Sequence, residues 1–268
     1  MPIVAATYNV LASAYIKPEW YPFTPPELLD SKHRLAALTK RLIELEADLL
    51  CLQEVDRETF DVVRRSLTQL GYAGALAMKG QGRPDGCSIF VRATALTLHR
   101  TRRFEYDDVV GGRPASGHVA QLAVLDLGGR RLGVANTHLK WDPPTAARET
   151  RYGYRQMAQL LEAREKLAPE CDGWVVCGDL NATSDSDVVA ALLRAGFRPT
   201  HNGSAGAATC NSNGQAKMID FLFYDQALAA EPLVLPRVED DTPLPGPDQP
   251  SDHVAVVARL AWKKGGGG

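Results

Sequence analysis

Six short polar motifs sit in or at the end of apolar, strand-like runs along nearly the whole of this 268-residue chain. They are Tyr8-Asn9, Gln53-Glu54, Thr137-His138, Gly178-Asp179-Leu180-Asn181, Ile219-Asp220 and Ser251-Asp252-His253. A polar group at the tip of an otherwise buried strand costs free energy unless it is paired or put to use, so six such tips ask for a shared explanation. The economical one is a single site where strand ends converge, made only when both halves of the chain fold together.

The residue types specify the chemistry. Glu54, Asp179, Asp220 and Asp252 are oxygen donors, Asn9 and Asn181 are neutral amides, and His138 and His253 can give hydrogen bonds or protons. Hard carboxylate oxygens suit Mg²⁺, with Mn²⁺ as the second choice, and the five cysteines lack C-x-x-C spacing, so zinc is the weaker reading. Cys51 and Cys177 lie inside apolar runs and read as small buried hydrophobes. Four gathered carboxylates repel one another unless a cation sits among them or some stay protonated. A divalent metal with His and Asn donors around it is what a phosphoryl centre needs: neutralised non-bridging oxygens and an activated water.

The order Asn, Glu, His, Asp-x-Asn, Asp, Ser-Asp-His, running from Thr7 to Ala258, resembles the endonuclease/exonuclease/phosphatase superfamily. Two further stretches, Asp85-Gly86-Cys87-Ser88-Ile89-Phe90 and His138-Leu139-Lys140-Trp141-Asp142-Pro143, resemble its branch with carbon-catabolite-repressor-type deadenylases, nocturnin and Angel proteins. That branch acts mostly on RNA 3′ ends or nucleotides. The resemblance implies an α/β fold, a four-layer sandwich of two stacked mixed β-sheets flanked by helices, with the active residues on one rim.

It also implies roles. Glu54 is the principal metal ligand, Asp252 a metal-side or water-bridged carboxylate, and Asn9 the amide that orients the cluster. Asp179 is the candidate general base or second-metal ligand, and Asn181 positions the scissile phosphate or the attacking water. Asp220 and His253 form a pair in which the carboxylate fixes the imidazole tautomer, while His138 meets phosphate from the other side. A lone histidine is more often a structural hydrogen-bonder. The joint arrangement supports His138 and His253, whereas His33, His99, His118 and His201 have no such support. In deadenylases of this branch a proline stacks on adenine; Pro143 matches it, with Trp141 alongside, but Gln215 stands where an aromatic residue would form the opposite wall.

Composition bounds the rest. With 45% hydrophobic residues and motifs spread from Asn9 to His253, residues 1–262 are expected to form one domain. Residues 263–268 are expected to be a Gly-rich tail, a linker stub or cloning remnant, which leaves open that this is one module of a longer chain. A net charge of −2 and a pI near 6.3 argue against holding long duplexes by phosphate electrostatics. Arg100, Arg102, Arg103, Arg130 and Arg131 read mainly as solvated strand and turn residues. Without a signal peptide or an apolar run of membrane-spanning length, a soluble, cytoplasmic protein with no membrane partner is expected.

Periodicity gives alternating elements. Strands are expected at 3–10, 49–52, 88–92, 96–104, 119–127, 131–137, 173–177, 218–224, 233–236 and 254–260, with Gly128-Gly129 closing a hairpin. Helices are expected at 31–46, capped by Ser31, and at 58–70, 145–167 and 187–195. The Pro-rich segments 18–26 and 242–250 read as surface loops.

The expected activity is a Mg²⁺-dependent phosphoesterase on single-stranded RNA 3′ ends, either removing 3′ nucleotides or processing 2′,3′-cyclic phosphates. The alternative is a nucleotide or small-molecule phosphatase of the NADP(H) type. A non-catalytic binding module and a DNA endonuclease fit less well, because a scaffold has no use for Glu54, Asp179 and His253 together and the chain has no basic arm.

Overall fold

The computed structural model describes residues 1–109, 112–143, 145–201 and 207–263. Most of the expected Gly-rich tail, residues 264–268, lies outside them. In chain order the elements are β1 (Ile3–Asn9), α1 (Ser31–Glu44), β2 (Leu49–Asp56), α2 (Arg57–Gln69), β3 (Tyr72–Met78), β4 (Asp85–Arg92), β5 (Thr97–Glu105), β6 (Val119–Leu127) and β7 (Arg130–His138). They continue with α3 (Tyr152–Leu167), β8 (Gly173–Asp179), α4 (Asp187–Arg194), β9 (Arg198–Pro199), β10 (Cys210–Ser212), β11 (Gln215–Lys217), β12 (Asp220–Tyr224), β13 (Leu228–Pro232) and β14 (Val256–Trp262).

Two six-stranded mixed sheets result, ordered β13-β14-β1-β2-β4-β3 and β5-β6-β7-β8-β12-β9. Aliphatic side chains fill the space between them, Leu49, Ile89 and Val256 from the first sheet meeting Leu125, Val134 and Val175 from the second. Leu38 and Leu42 of α1 and Val63 and Leu67 of α2 cover the outer face of the first sheet. Met157 and Leu160 of α3 and Val188 and Leu192 of α4 cover the second. These are the four expected layers. Among the described residues no helix is long and apolar enough to cross a membrane.

Each sheet is antiparallel except for one central pair, β1 with β2 and β7 with β8. A parallel pair needs a crossover, which α1 and α3 supply, and it brings both C-terminal strand ends to the same rim. This explains why motifs far apart in sequence meet. A polar contact aligns the two sheets in the interior: Gln53 Nε2 donates to Thr7 Oγ1 at 2.9 Å and to Asn136 Oδ1 at 2.7 Å. Asn136 Nδ2 returns bonds to the carbonyls of Leu52 and Ser88, each at 3.0 Å.

Several boundaries differ from expectation. Asp30, not Ser31, caps α1 by accepting from the His33 amide. The expected helix from 145 begins only at Tyr152, because the Asp142 carboxylate accepts from the Tyr152 and Gly153 amides and satisfies its first turn. The last antiparallel partner of β14 is Leu228–Pro232 rather than 233–236, since Leu228 is buried there while Val234 is 99% exposed.

Candidate active site

Strand register assembles the rim. His138 lies opposite Asp179 in the parallel pair of β7 and β8, and Asp179 lies opposite Asp220 across the antiparallel pair of β8 and β12. On the other sheet Asn9 lies opposite Gln53. The ladder between β2 and β4 shifts between Leu52 and Val55, and Glu54 takes φ +57°. This bulge sends Gln53 into the core and Glu54 toward the rim, at the cost of a left-handed backbone that a non-glycine residue rarely adopts. Gly178 is required for the opposite reason: a Cβ there would stand 1.8 Å from the Thr137 carbonyl.

Asn9 joins the two halves. Its Nδ2 donates to Glu54 Oε1 at 3.1 Å and to Asp179 Oδ2 at 3.0 Å, while the Ala12 amide holds Glu54 Oε2 at 2.9 Å. Ser251 Oγ donates to the Asn9 carbonyl at 2.7 Å, which brings Asp252 and His253 against the same cluster. His253 Nδ1 is 2.8 Å from Asp220 Oδ2, and Thr209 Oγ1 donates to that oxygen at 2.6 Å. With Nδ1 so occupied, His253 Nε2 faces Asp179 Oδ2 at 3.8 Å and Asp252 Oδ1 at 3.9 Å. His138 Nε2 approaches the same Asp179 oxygen at 3.6 Å and Asn181 Nδ2 at 3.1 Å. All eight expected rim residues therefore lie together.

Several supports had no motif to announce them. Tyr21 donates to Asp252 Oδ2 at 3.2 Å and Tyr15 to Asp85 Oδ1 at 2.7 Å, both from the loop after β1. Lys79 Nζ pairs with Asp85 Oδ2 at 2.6 Å and reaches His138 Nδ1 at 3.2 Å, with both charged side chains out of solvent. Buried Arg34 of α1 donates to the carbonyls of Val10, Leu11 and Pro250, tying the segment after Asn9 to the loop that carries Asp252. His118, which no motif supported as a site residue, holds the His138 carbonyl through Nδ1 at 2.9 Å and stacks edge-on against its ring.

Burial and carboxylate crowding set the electrostatics. Burial first, then the charge of Asp220, push Asp179 up to about 7, and burial also raises Glu54. Burial alone would lower His253, but the Asp220 carboxylate outweighs it and holds the imidazole well above its ordinary value. Burial, then the Lys79 ammonium, keep His138 well below the ordinary histidine range. Such crowding is what a divalent cation relieves, and the donor set fits one. The charge of Asp252 raises Glu54 further, so these two carboxylates offer a cation hard oxygen donors, while Asp179, Asp220 and His253, whose ligand atoms lie within 4.8 Å of one another, form a neighbouring group already joined by the His253–Asp220 bond. Cys210 forms a second such group with Asp252 and His253, and burial pushes its thiol up to about 11.

The sequence profile of the endonuclease/exonuclease/phosphatase family matches residues 6–253. The chain belongs to the endonuclease/exonuclease/phosphatase family. Carbon catabolite repressor protein 4 homolog 4 of Arabidopsis thaliana is 26% identical over 323 aligned positions, covering 96% of this chain and 77% of that protein. The rat (Rattus norvegicus) 2′,5′-phosphodiesterase 12 is 27% identical over 325 positions, covering 97% of this chain and 52% of that one. Against several curated relatives the chain thus spans about half their length. Among solved structures, ANGEL2, a 2′,3′-cyclic phosphatase, in complex with adenosine-2′,3′-vanadate superposes with a TM-score of 0.83 at 20% identity, covering 97% and 95% of the two chains. The human nocturnin catalytic domain with bound sulfate anion gives 0.76 at 23% identity, covering 98% and 94%. These likenesses establish the fold. Enzymes of this family are hydrolases that depend on divalent metal.

In this family member a cleft of about 610 Å³ opens beside the rim, lined by Asn181, Lys140, Trp141, Pro143, Gln215 and Lys217. Trp141 is 54% exposed, so it is a cleft wall and not a buried anchor. Its neighbour Asp142 is committed to capping α3 and thereby fixes the segment. Gln215 reaches the cleft from the β10–β11 hairpin, whose turn residues Asn213 and Gly214 have φ of +56° and +62°.

Proposed function

We propose that this protein is a Mg²⁺-dependent phosphoesterase that acts on RNA 3′ ends, removing 3′ nucleotides or processing a terminal 2′,3′-cyclic phosphate. The observation that carries this reading is the exposed Trp141 indole beside Pro143 in a cleft that ends on Asn181 and holds Lys140 and Lys217. An open aromatic wall takes a base, lysines take the flanking phosphate, and the rim takes the phosphorus. Relatives whose names denote exoribonuclease, phosphodiesterase and cyclic phosphatase activities support it.

Glu54 and Asp252 would hold the metal, with Asn9 orienting them; bound there, Mg²⁺ supplies neutralisation of phosphate charge and activation of water. Asp179, whose Oδ2 is steadied by Asn9, accepts the proton of the attacking water. Asn181 and His138 face the phosphate from one side and His253 Nε2 from the other, its ring set by Asp220. Excluding bulk water from this buried rim strengthens each of these hydrogen bonds.

A panel of oligo(A), mixed RNA with 2′,3′-cyclic ends, single-stranded DNA and NADP(H) tests the substrate. Fastest turnover is expected on RNA ends, with full loss in excess chelator. Faster turnover of NADP(H) would replace the reading with a nucleotide phosphatase, and chelator-resistant turnover would overturn the metal chemistry.

A further inference from the structure

Lys79 and Asp85 form a charged pair beneath the rim, with side chains 1% and 0% exposed and Nζ and Oδ2 2.6 Å apart. Asp85 is fastened from its other oxygen by Tyr15 at 2.7 Å. Gly86, next to it, permits the close approach of β3 and β4, since a Cβ there would lie 2.2 Å from the Ala77 carbonyl. A buried ion pair of this kind does not stabilise strongly by itself, because desolvation offsets the attraction. Its reach to His138 gives it a use.

The His138 ring is met by a possible donor on each side: Lys79 Nζ at 3.2 Å from Nδ1 and Asn181 Nδ2 at 3.1 Å from Nε2. A neutral imidazole accepts at one nitrogen only. The Asn181 amide cannot turn over, because Nδ2 donates to the Leu139 carbonyl at 2.9 Å and a flip would set two oxygens together. The ammonium cannot turn away either. It carries protons only, and the bond it gives is charge-assisted and stronger than the amide's. Glu54 Oε1 is 3.9 Å from Nδ1, outside hydrogen-bond range.

We propose that Lys79, held by Asp85, fixes His138 as the neutral ring with its proton on Nε2, so that Nε2–H and the second Asn181 amide proton converge on one seat for a single phosphate oxygen. Two donors 3.1 Å apart, with Asp179 Oδ2 3.6 Å from Nε2 and so beyond hydrogen-bond range, are matched by an anionic oxygen that takes both. Lys79 is then a positioning residue that never touches substrate. This deepens the phosphoesterase reading and rests on it for the identity of the oxygen, but not for the tautomer.

Histidine-selective ¹⁵N labelling and long-range ¹H–¹⁵N correlation spectra of the whole chain decide the matter, with His138 assigned by its loss in His138→Gln. The expected wild-type spectrum has a protonated Nε2 and an unprotonated Nδ1 at His138. A protonated Nδ1 would overturn the proposal regardless of any activity. The pair Lys79→Met with Asp85→Asn removes the donor without stranding a buried charge, and should mix the tautomers and lower kcat roughly 10-fold or more, with KM changing less. Lys79→Arg, which keeps a charged donor against Asp85, should retain the wild-type pattern. An unshifted Nε2–H tautomer in the Met/Asn pair would remove Lys79 from the role. If that pair does not fold, an Nε2–H signal lost in Lys79→Arg overturns it equally, and retention of the wild-type pattern there supports it.

Discussion

His253 and Asp220 are joined Nδ1 to Oδ2 at 2.8 Å, from positions 33 residues apart in sequence. The bond leaves Nε2 as the only ring nitrogen facing the rim. His253→Ala is expected to lower kcat by roughly 10²-fold or more, and Asp220→Asn to give a large part of that loss by freeing the ring. Initial rates at saturating Mg²⁺ check this, and a near-normal kcat in His253→Ala would take that side chain out of the reaction.

Burial, and after it the neighbouring carboxylates, raise the pKa of Glu54 against the lowering charge of Lys79. Glu54→Gln should therefore raise the melting temperature of the metal-free protein while weakening Mg²⁺ binding by at least about 10-fold. Calorimetric titration and thermal melts in chelator give the two readouts. An unchanged metal dissociation constant would exclude Glu54 as a ligand.

His118 supplies a pH dependence. Burial first, then the Lys79 charge, lower it to about 2 from an ordinary value of 6.5. Between these values the unfolded chain binds the extra proton, so this stability is complete above about 6.5 and is lost as pH falls below it, by at most about 1.4 kcal/mol per pH unit. Denaturation of the metal-free protein between about pH 4 and 6 should show His118→Asn with a slope shallower by about one proton. Equal slopes would place the acid sensitivity elsewhere.

Trp141 and Gln215 report on the base. Trp141→Ala should raise KM for RNA more than it lowers kcat, the pattern of lost uniform binding, and Gln215→Phe should raise the preference for adenine by adding a stacking surface worth roughly 1–3 kcal/mol. Rates on A-, C- and U-ended oligonucleotides test both. A strong adenine preference already present in the wild type would contradict an open slot.

The rim was legible in the sequence because its side chains sit in or beside strands, where a polar residue next to an apolar run is conspicuous. Lys79, Tyr15, Tyr21 and Arg34 were not, since they reach the site from loops or a helix face, across separations of 70 residues for Tyr15 to Asp85 and 231 for Tyr21 to Asp252. Local pattern carries no trace of such partners. β3 escaped because Tyr-Ala-Gly-Ala-Leu-Ala-Met is rich in alanine and only sheet pairing makes it a strand. The β10–β11 hairpin did carry a signal, Asn213-Gly214, the favoured two-residue turn, outweighed by its polar and very short flanks.

The bond between Gln53 and Asn136 bears on how freely this protein can drift. Aliphatic contacts between two sheets admit many substitutions and small sliding offsets, because hydrocarbon surfaces have no preferred alignment. Amide groups admit one. A library that randomises the inter-sheet aliphatics while keeping Thr7, Gln53 and Asn136 should still yield many active members, whereas restoring every aliphatic and replacing those three with hydrocarbon should yield folded chains whose two half-sites no longer face each other.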